Sequence, residues 1–238
     1  MVIFKSILCR RDSAANVSRL LSFFILVLFL ALMNGCAVKK KEPLITIKPE
    51  PVPKIELDPG QQRIAAWHAL MLEKRNVSEM EKLEAVNSFF NQLEFVDDWL
   101  LWGKNDYWAT PQQMLIKNGG DCEDFATAKY FTLRQLKIPD NKMRLTYVKA
   151  LKLKEPHMVL SYYIQPTTDP LILDSLVTAI LSASERKDLI PIYSFNGQGL
   201  WLAKKQESVH LGRAERLSLW QDLQFRFIQD AIAAPPSQ

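Results

Sequence analysis

Residues 110–150 read TPQQMLIKNGGDCEDFATAKYFTLRQLKIPDNKMRLTYVKA, and the change of rhythm within this stretch decides the fold. Thr110 is placed to cap a short helix, Pro111 suits its first position, Gln113 can reach back to the cap, and Gly119-Gly120 ends it. From Asp121 to about Lys137 the apolar positions Phe125, Ala128, Leu133 and Leu136 predict a further helix, the central one, with Cys122 at or just inside its start. Beyond it, Met143–Ala150 reads as a strand rich in β-formers.

The same switch holds on either side. Upstream, Gln61–Lys74 and Ser78–Leu93 are helix candidates, the second with a capping box in Ser78 and Glu81. Its Met80, Leu83, Val86, Phe89, Phe90 and Leu93 form one stripe, read as core. Downstream, His157–Gln165, Leu171–Leu173, Pro191–Phe195 and Leu200–Ala203 are strand candidates, and a last amphipathic helix runs from about Arg213 to Ala233. Helices gathered first and strands second predict an α+β domain. There is no internal repeat.

The chain has 238 residues, 48% hydrophobic and 24% charged, the proportions of a globular protein with room for one catalytic-sized domain. Of its net charge of +4, residues 1–35 carry +3 through Lys5, Arg10, Arg11 and Arg19 against Asp12. The body is close to neutral, so the basic footprint of a nucleic-acid binder is missing.

The apolar run Leu20–Met33 is short of the roughly 20 residues that span a bilayer. Arginines before it and Gly35-Cys36-Ala37 after it have the layout of a secretory signal peptide. Residues 1–36 are therefore expected to be an export leader or N-terminal anchor, with Cys36 a candidate lipid attachment site. Residues 37–60 hold five of the 13 prolines and read as a tether before a domain over 61–238. Periplasmic localisation is expected. Cys9 and Cys36 belong to the leader, so Cys122 is the single body cysteine and has no intramolecular disulfide partner.

Cys122 at a helix start, His157 at the start of a strand and Asp174 at the end of the next have the makings of a nucleophile, its base and an orienting acid. Thiolate formation is favoured by a helix N-terminus and a nearby imidazolium, and adjacent antiparallel strands can bring His157 beside Asp174. On spacing alone a buried structural cysteine, a satisfied histidine and a turn-forming aspartate are the commoner reading. His68, inside the first helix, and His210, in a polar stretch between elements, are weaker rivals. Asp121, Glu123 and Asp124 crowd a thiol that must ionise, and like charge raises its pKa. They are either acids at a helix N-terminus or ligands of a hard cation such as calcium; the spacing leaves both open. Trp99, Trp102, Tyr107 and Trp108 read as core and cleft wall, with some lining a substrate groove.

The strings Asp106-Tyr107-Trp108-Ala109-Thr110-Pro111, Gly119-Gly120-Asp121-Cys122-Glu123-Asp124-Phe125-Ala126, His157-Met158-Val159-Leu160, Leu173-Asp174-Ser175-Leu176 and Tyr193-Ser194-Phe195-Asn196 closely resemble the bacterial transglutaminase-like cysteine proteinases. Within that family they look like the LapG-type periplasmic proteases that clip large surface adhesins. The likeness runs from about Ile64 to Trp201. It implies a papain-like or transglutaminase-like α+β fold, Cys122 as nucleophile, His157 as base and acid, and Asp174 as orienter. The family's usual Asp-Asn is Asp-Ser here, which keeps the acid. The resemblance also implies calcium at Asp121, Glu123 and Asp124, cleavage of an adhesin near its N-terminus, and inhibition by an inner-membrane receptor for cyclic di-GMP, with consequences for biofilm dispersal. Transfer of the acyl group to an amine, as in true transglutaminases, uses the same triad and would be revealed by a labelled amine. A non-catalytic module that binds an envelope partner would be expected to lose one of the three residues.

Overall fold

A computed structural model describes residues 57–204, 207–214 and 217–233. The leader, Cys36 and most of the proline-rich segment lie outside them. Among the described residues no helix is long and apolar enough to cross a membrane.

Helix α1 (Pro59–Glu73) starts where Asp58 Oδ1 accepts the N–H groups of Gly60 and Gln61, with Pro59 in the first turn. Helix α2 (Glu79–Phe90) has the Ser78/Glu81 capping box. Leu83, Val86 and Phe90 of its stripe are fully buried, whereas Met80 is 40% exposed and drops out of the core because it lies in the first turn, at the rim. Strand β1 (Glu94–Phe95) and helix α3 (Asp98–Trp102) follow, two short elements with too few residues to show a period. Helix α4 (Pro111–Lys117) has the expected Thr110/Gln113 capping box and ends at Asn118 with φ 60°.

Strand β2 (Gly119–Gly120) pairs in parallel with β1 and hands the chain to helix α5 (Cys122–Gln135). Both glycines are needed for close approach. A Cβ on Gly119 would sit 2.8 Å from the Glu94 carbonyl oxygen, and one on Gly120 would sit 2.5 Å from Asp124 Oδ2.

After a 3-10 turn (Asp140–Lys142) come β3 (Met143–Ala150), β4 (Glu155–Tyr162), β5 (Leu171–Leu173), β6 (Leu181–Ser182), β7 (Leu189–Phe195), β8 (Leu200–Lys204) and β9 (Glu207–Gly212). They form one antiparallel sheet in the order β6-β5-β4-β3-β7-β8-β9. The helices precede the sheet, as an α+β chain requires. Strand β9 was not expected: His210 lies within it, opposite Trp201, rather than in a polar stretch between elements. Its short, mixed composition gives no clean alternation. The last helix, α6, spans Ser218–Ala233 and so starts later than Arg213.

Helix α5 packs against β4 and β3 and is buried along most of its length, through Phe125, Ala128, Tyr130, Phe131 and Leu133. Burying side chains of this size contributes about 1.5–3 kcal/mol each. Trp67 of α1 closes one side with its indole N–H donated to Thr132 Oγ1 at 2.9 Å. Trp220 of α6 stacks on Phe131, and Phe227 stacks on the same ring. A helix held this way over its whole length is a rigid mount for whatever stands at its N-terminus.

Candidate active site

Cys122 is the first residue of α5, half-buried, and opens into a cleft of about 730 Å³ whose lining includes Trp108, Tyr147, Met158, Tyr193 and Leu219. Its Sγ receives the backbone N–H of Met158, which sets the sulfur against β4 beside His157. Strand β4 presents His157 in a buried position, and the antiparallel partner β5 delivers Asp174 immediately after its last residue. His157 Nε2 lies 2.7 Å from Asp174 Oδ1. That contact leaves Nδ1 as the ring nitrogen available to a thiol. The structure thus joins His157 to Asp174 directly and sets Cys122 against Met158, the residue that follows His157 in β4. His68 and His210 are exposed, whereas His157 is buried against Asp174.

Asp174 is buried and heavily braced. Its Oδ1 also accepts the Leu176 N–H at 3.1 Å, and Oδ2 pairs with the Arg186 guanidinium at 2.8 Å. Its backbone carbonyl accepts from Lys129 Nζ at 3.0 Å and Asn91 Nδ2 at 2.9 Å. Burial alone would raise this carboxyl, yet hydrogen bonds and charge from His157, with Arg186 behind, hold it at about 2. It is an anion with its partners in place. Lys129, fully buried, is pushed down to about 7 by that burial, with Asp174 opposing the shift.

The acids beside the sulfur are in the opposite condition. Asp121 stands at the N-cap of α5 but makes no side-chain cap hydrogen bond, so helix capping does not account for it. Asp98 of α3 joins Asp121 and Asp124 in one group of carboxylates, and joins Asp106 and Glu123 in another; within each, one oxygen per residue lies within 4.8 Å of the others. The three acids expected as ligands are therefore divided between two groups that share Asp98. Asp98 and Asp106 escaped the sequence reading because they sit in a loop and a five-residue helix, some 15–23 positions upstream, with no ligand spacing to mark them.

The oxygens Asp98 Oδ1, Asp121 Oδ1 and Asp124 Oδ2 are buried without a hydrogen-bond partner. Only part of the set is satisfied: Asp124 Oδ1 accepts the Ala109 N–H at 2.6 Å and Asp98 accepts that of Tyr107. Burial, then the charge of neighbouring acids, raises the pKa of Asp98, Asp121 and Asp124. Glu123 is raised chiefly by burial, and its Oε2 takes the Cys122 thiol as a donor at 3.1 Å. Burial first and the Glu123 charge second push the thiol far above its ordinary range. An all-oxygen cluster of orphaned, mutually repelling carboxylates fits a hard divalent cation.

Helix α6 braces the segment from Trp108 to Gln113, which follows the loop that carries Asp106. Arg226 donates to the Trp108 carbonyl at 2.6 Å and to Gln113 Oε1 at 2.9 Å, and Asp230 accepts from Thr110 Oγ1. Of the expected aromatic cluster, Trp108 is buried and lines the cleft, and Trp102 packs on Tyr107 at 4.7 Å. Trp99 is 65% exposed and belongs to neither core nor cleft, because it lies on the outer side of α3. Tyr147 and Tyr193, stacked at 4.9 Å on neighbouring strands, form a cleft wall that the sequence did not single out.

Residues 62–207 match the family described as bacterial transglutaminase-like cysteine proteinase. Among solved structures, the EGTA-treated form of Legionella pneumophila LapG is 43% identical, with a TM-score of 0.67, over 72% of this chain and 91% of that one. The calcium-bound form of the same protein is 43% identical with a TM-score of 0.65, over 72% of this chain and 92% of that one. No curated protein sequence matches.

Proposed function

The chain belongs to the bacterial transglutaminase-like cysteine proteinases, and on that premise we propose that it is a calcium-dependent cysteine endopeptidase with Cys122, His157 and Asp174 as its triad. The observation that carries this reading is the buried His157–Asp174 pair, held by β4 and the residue after β5, with Met158 of the same β4 donating its N–H to the Cys122 sulfur. In this mechanism His157 Nδ1 takes the proton of Sγ, and the thiolate attacks the scissile carbonyl carbon to form a thioester. The departing amine takes the proton back from the imidazolium. Water then gives a proton to His157 as it attacks the thioester, and Sγ leaves to be reprotonated. Asp174, held ionised, keeps Nε2–H occupied and steadies the charged ring.

Asp98, Asp121 and Asp124, with Glu123 and Asp106 adjoining, would hold the calcium. Bound there, the ion supplies positive charge that offsets the acids and lowers the cost of the Cys122 thiolate. Glu123, engaged with it, no longer competes for the thiol proton. The calcium-bound and EGTA-treated forms of Legionella LapG support this assignment.

The same reading extends to place and substrate. The leader-like residues 1–36 support export to the periplasm, with a tether through the N-terminus or Cys36. Likeness to the LapG type supports a large surface adhesin as substrate, cut in its N-terminal region and released, and an inner-membrane cyclic di-GMP receptor as inhibitor. Incubating the purified protein with the N-terminal region of such an adhesin from the same cell tests this. Shortening in calcium, abolished by Cys122→Ala, is expected; uncleaved substrate, or transfer of a labelled amine in place of hydrolysis, would contradict it.

A further inference from the structure

We propose that Arg186 is a positioning residue for the triad, acting through Asp174 and never touching the substrate. This inference rests on the reading of Cys122, His157 and Asp174 as the catalytic set. Arg186 lies in the turn between β6 and β7, outside every motif of the site, and its side chain is 4% exposed. A buried guanidinium at a turn is costly unless its charge has fixed work to do. Here the planar fork spans two carboxylates. Nε and Nη2 hold Asp188 in bidentate fashion at 3.0 and 2.9 Å, and Nη2 also stands 2.8 Å from Asp174 Oδ2.

Oδ1 of Asp174 is already committed to His157 and the Leu176 N–H. Oδ2 has no other partner: it is buried and makes no hydrogen bond, so the Arg186 charge alone compensates it. With Oδ1 hydrogen-bonded to His157 and Leu176 and Oδ2 drawn to the guanidinium, the carboxylate is held at both oxygens and Oδ1 stays on Nε2. Lys129 and Asn91 hold the Asp174 main chain but not the orientation of its carboxylate. The result is a row of alternating charge, Asp188, Arg186, Asp174, His157, which favours the imidazolium needed once Cys122 gives up its proton. Lysine would carry the charge but not the bidentate Nε/Nη2 grip on Asp188 that sets where the charge stands beside Asp174.

The test uses the calcium-loaded protein and two readouts that a merely structural arginine would not move. One is the downfield proton resonance of the His157 Nε2–H in its hydrogen bond to Asp174. The other is the rate at which iodoacetamide labels Cys122 at a single pH, followed on its own peptide. Arg186→Met should fold and bind calcium, yet lose the resonance and label roughly 10–100-fold more slowly, the range seen when a partner orienting a functional histidine is removed. Arg186→Lys should recover part of both. If Arg186→Met does not fold, Asp188→Asn releases half the fork and should shift the resonance and slow labelling in the same direction by less. Folded Arg186→Met, or Asp188→Asn in its place, with both readouts at wild-type values would overturn the proposal. His157→Ala separates the two levels of inference. Wild-type labelling that is indifferent to His157 defeats the triad itself, whereas His157-dependent labelling unchanged by the Arg186 and Asp188 variants defeats only the role given to Arg186.

Discussion

One buried acidic region adjoins Cys122 and the other holds His157, and the two differ in one respect. Asp174 is surrounded by His157, Arg186, Lys129 and Asn91 and sits at about 2, below its ordinary 3.8. Asp98, Asp121 and Asp124 are surrounded mostly by one another, keep three orphaned oxygens, and are all raised. The same side-chain chemistry, buried in both places, moves in opposite directions because one region is charge-balanced by the chain and the other is not. A balanced network is finished when the protein folds. An unbalanced one is finished by something from outside, which makes it the natural place for control.

Changes to the two regions should therefore behave differently, and the largest effect lies at Cys122 itself. Cys122→Ala should cost on the order of 10⁴- to 10⁶-fold in proteolysis with little change in thermal stability, measured by cleavage rate and melting temperature on one preparation. Triple replacement with His157→Ala and Asp174→Ala should cost hardly more than Cys122→Ala alone. Asp174→Ala leaves Arg186 and Lys129 without their buried anion, and should destabilise by about 3–5 kcal/mol by denaturant unfolding. Asp121→Asn should do the reverse, raising the melting temperature of the calcium-free protein while abolishing its response to calcium. A fall in apo stability with Asp121→Asn would mean that this region is balanced after all.

Calcium itself should stabilise the wild type by about 2.7 kcal/mol at 100 times its dissociation constant, and magnesium by less. The effect should depend on pH with a sign set by the cluster. Carboxyls whose folded pKa is raised destabilise progressively as pH rises from their unfolded value near 4 towards the folded one, so calcium-free protein should lose stability across that range while calcium-loaded protein should not. Asp174 runs the other way: its contribution is present above 3.8 and is lost as pH falls towards 2. A calcium increment in melting temperature that is equal at pH 5 and pH 8 would break the contrast. The smallest effect belongs to neither region. Ser78→Ala removes the α2 capping box at a cost of about 1 kcal/mol, with cleavage rate per folded molecule unchanged.

The balanced and unbalanced regions were also unequally legible in the sequence. The central helix, β3 and β5 announce themselves through their apolar pattern, α2 and α4 through their capping boxes, and β3 and β5 run over the expected Met143–Ala150 and Leu171–Leu173. Helix α3 and strands β1, β6 and β9 are short or mixed in pattern, so tertiary pairing rather than local preference makes them. Asp121, Glu123 and Asp124 could be singled out because they crowd a cysteine, a conflict visible in one dimension. Asp98, Asp106 and Arg186 carry no such mark. Each becomes meaningful only when the β1–β2 pairing and the β6–β7 turn bring it beside a carboxylate from elsewhere in the chain.

The central claim is that cation binding at the acidic cluster releases the Cys122 thiol from Glu123. The most direct measurement is the rate of iodoacetamide labelling of Cys122 at pH 7, in calcium and after exhaustive chelation, for wild type and Asp98→Asn. Asp98 touches neither the sulfur nor the triad, and reaches them only through the shared carboxylate groups. Labelling that is fast in calcium, slow in chelator, and slow in both for Asp98→Asn, by at least about tenfold, is the predicted result. Equal labelling of wild type in calcium and in chelator would contradict the account.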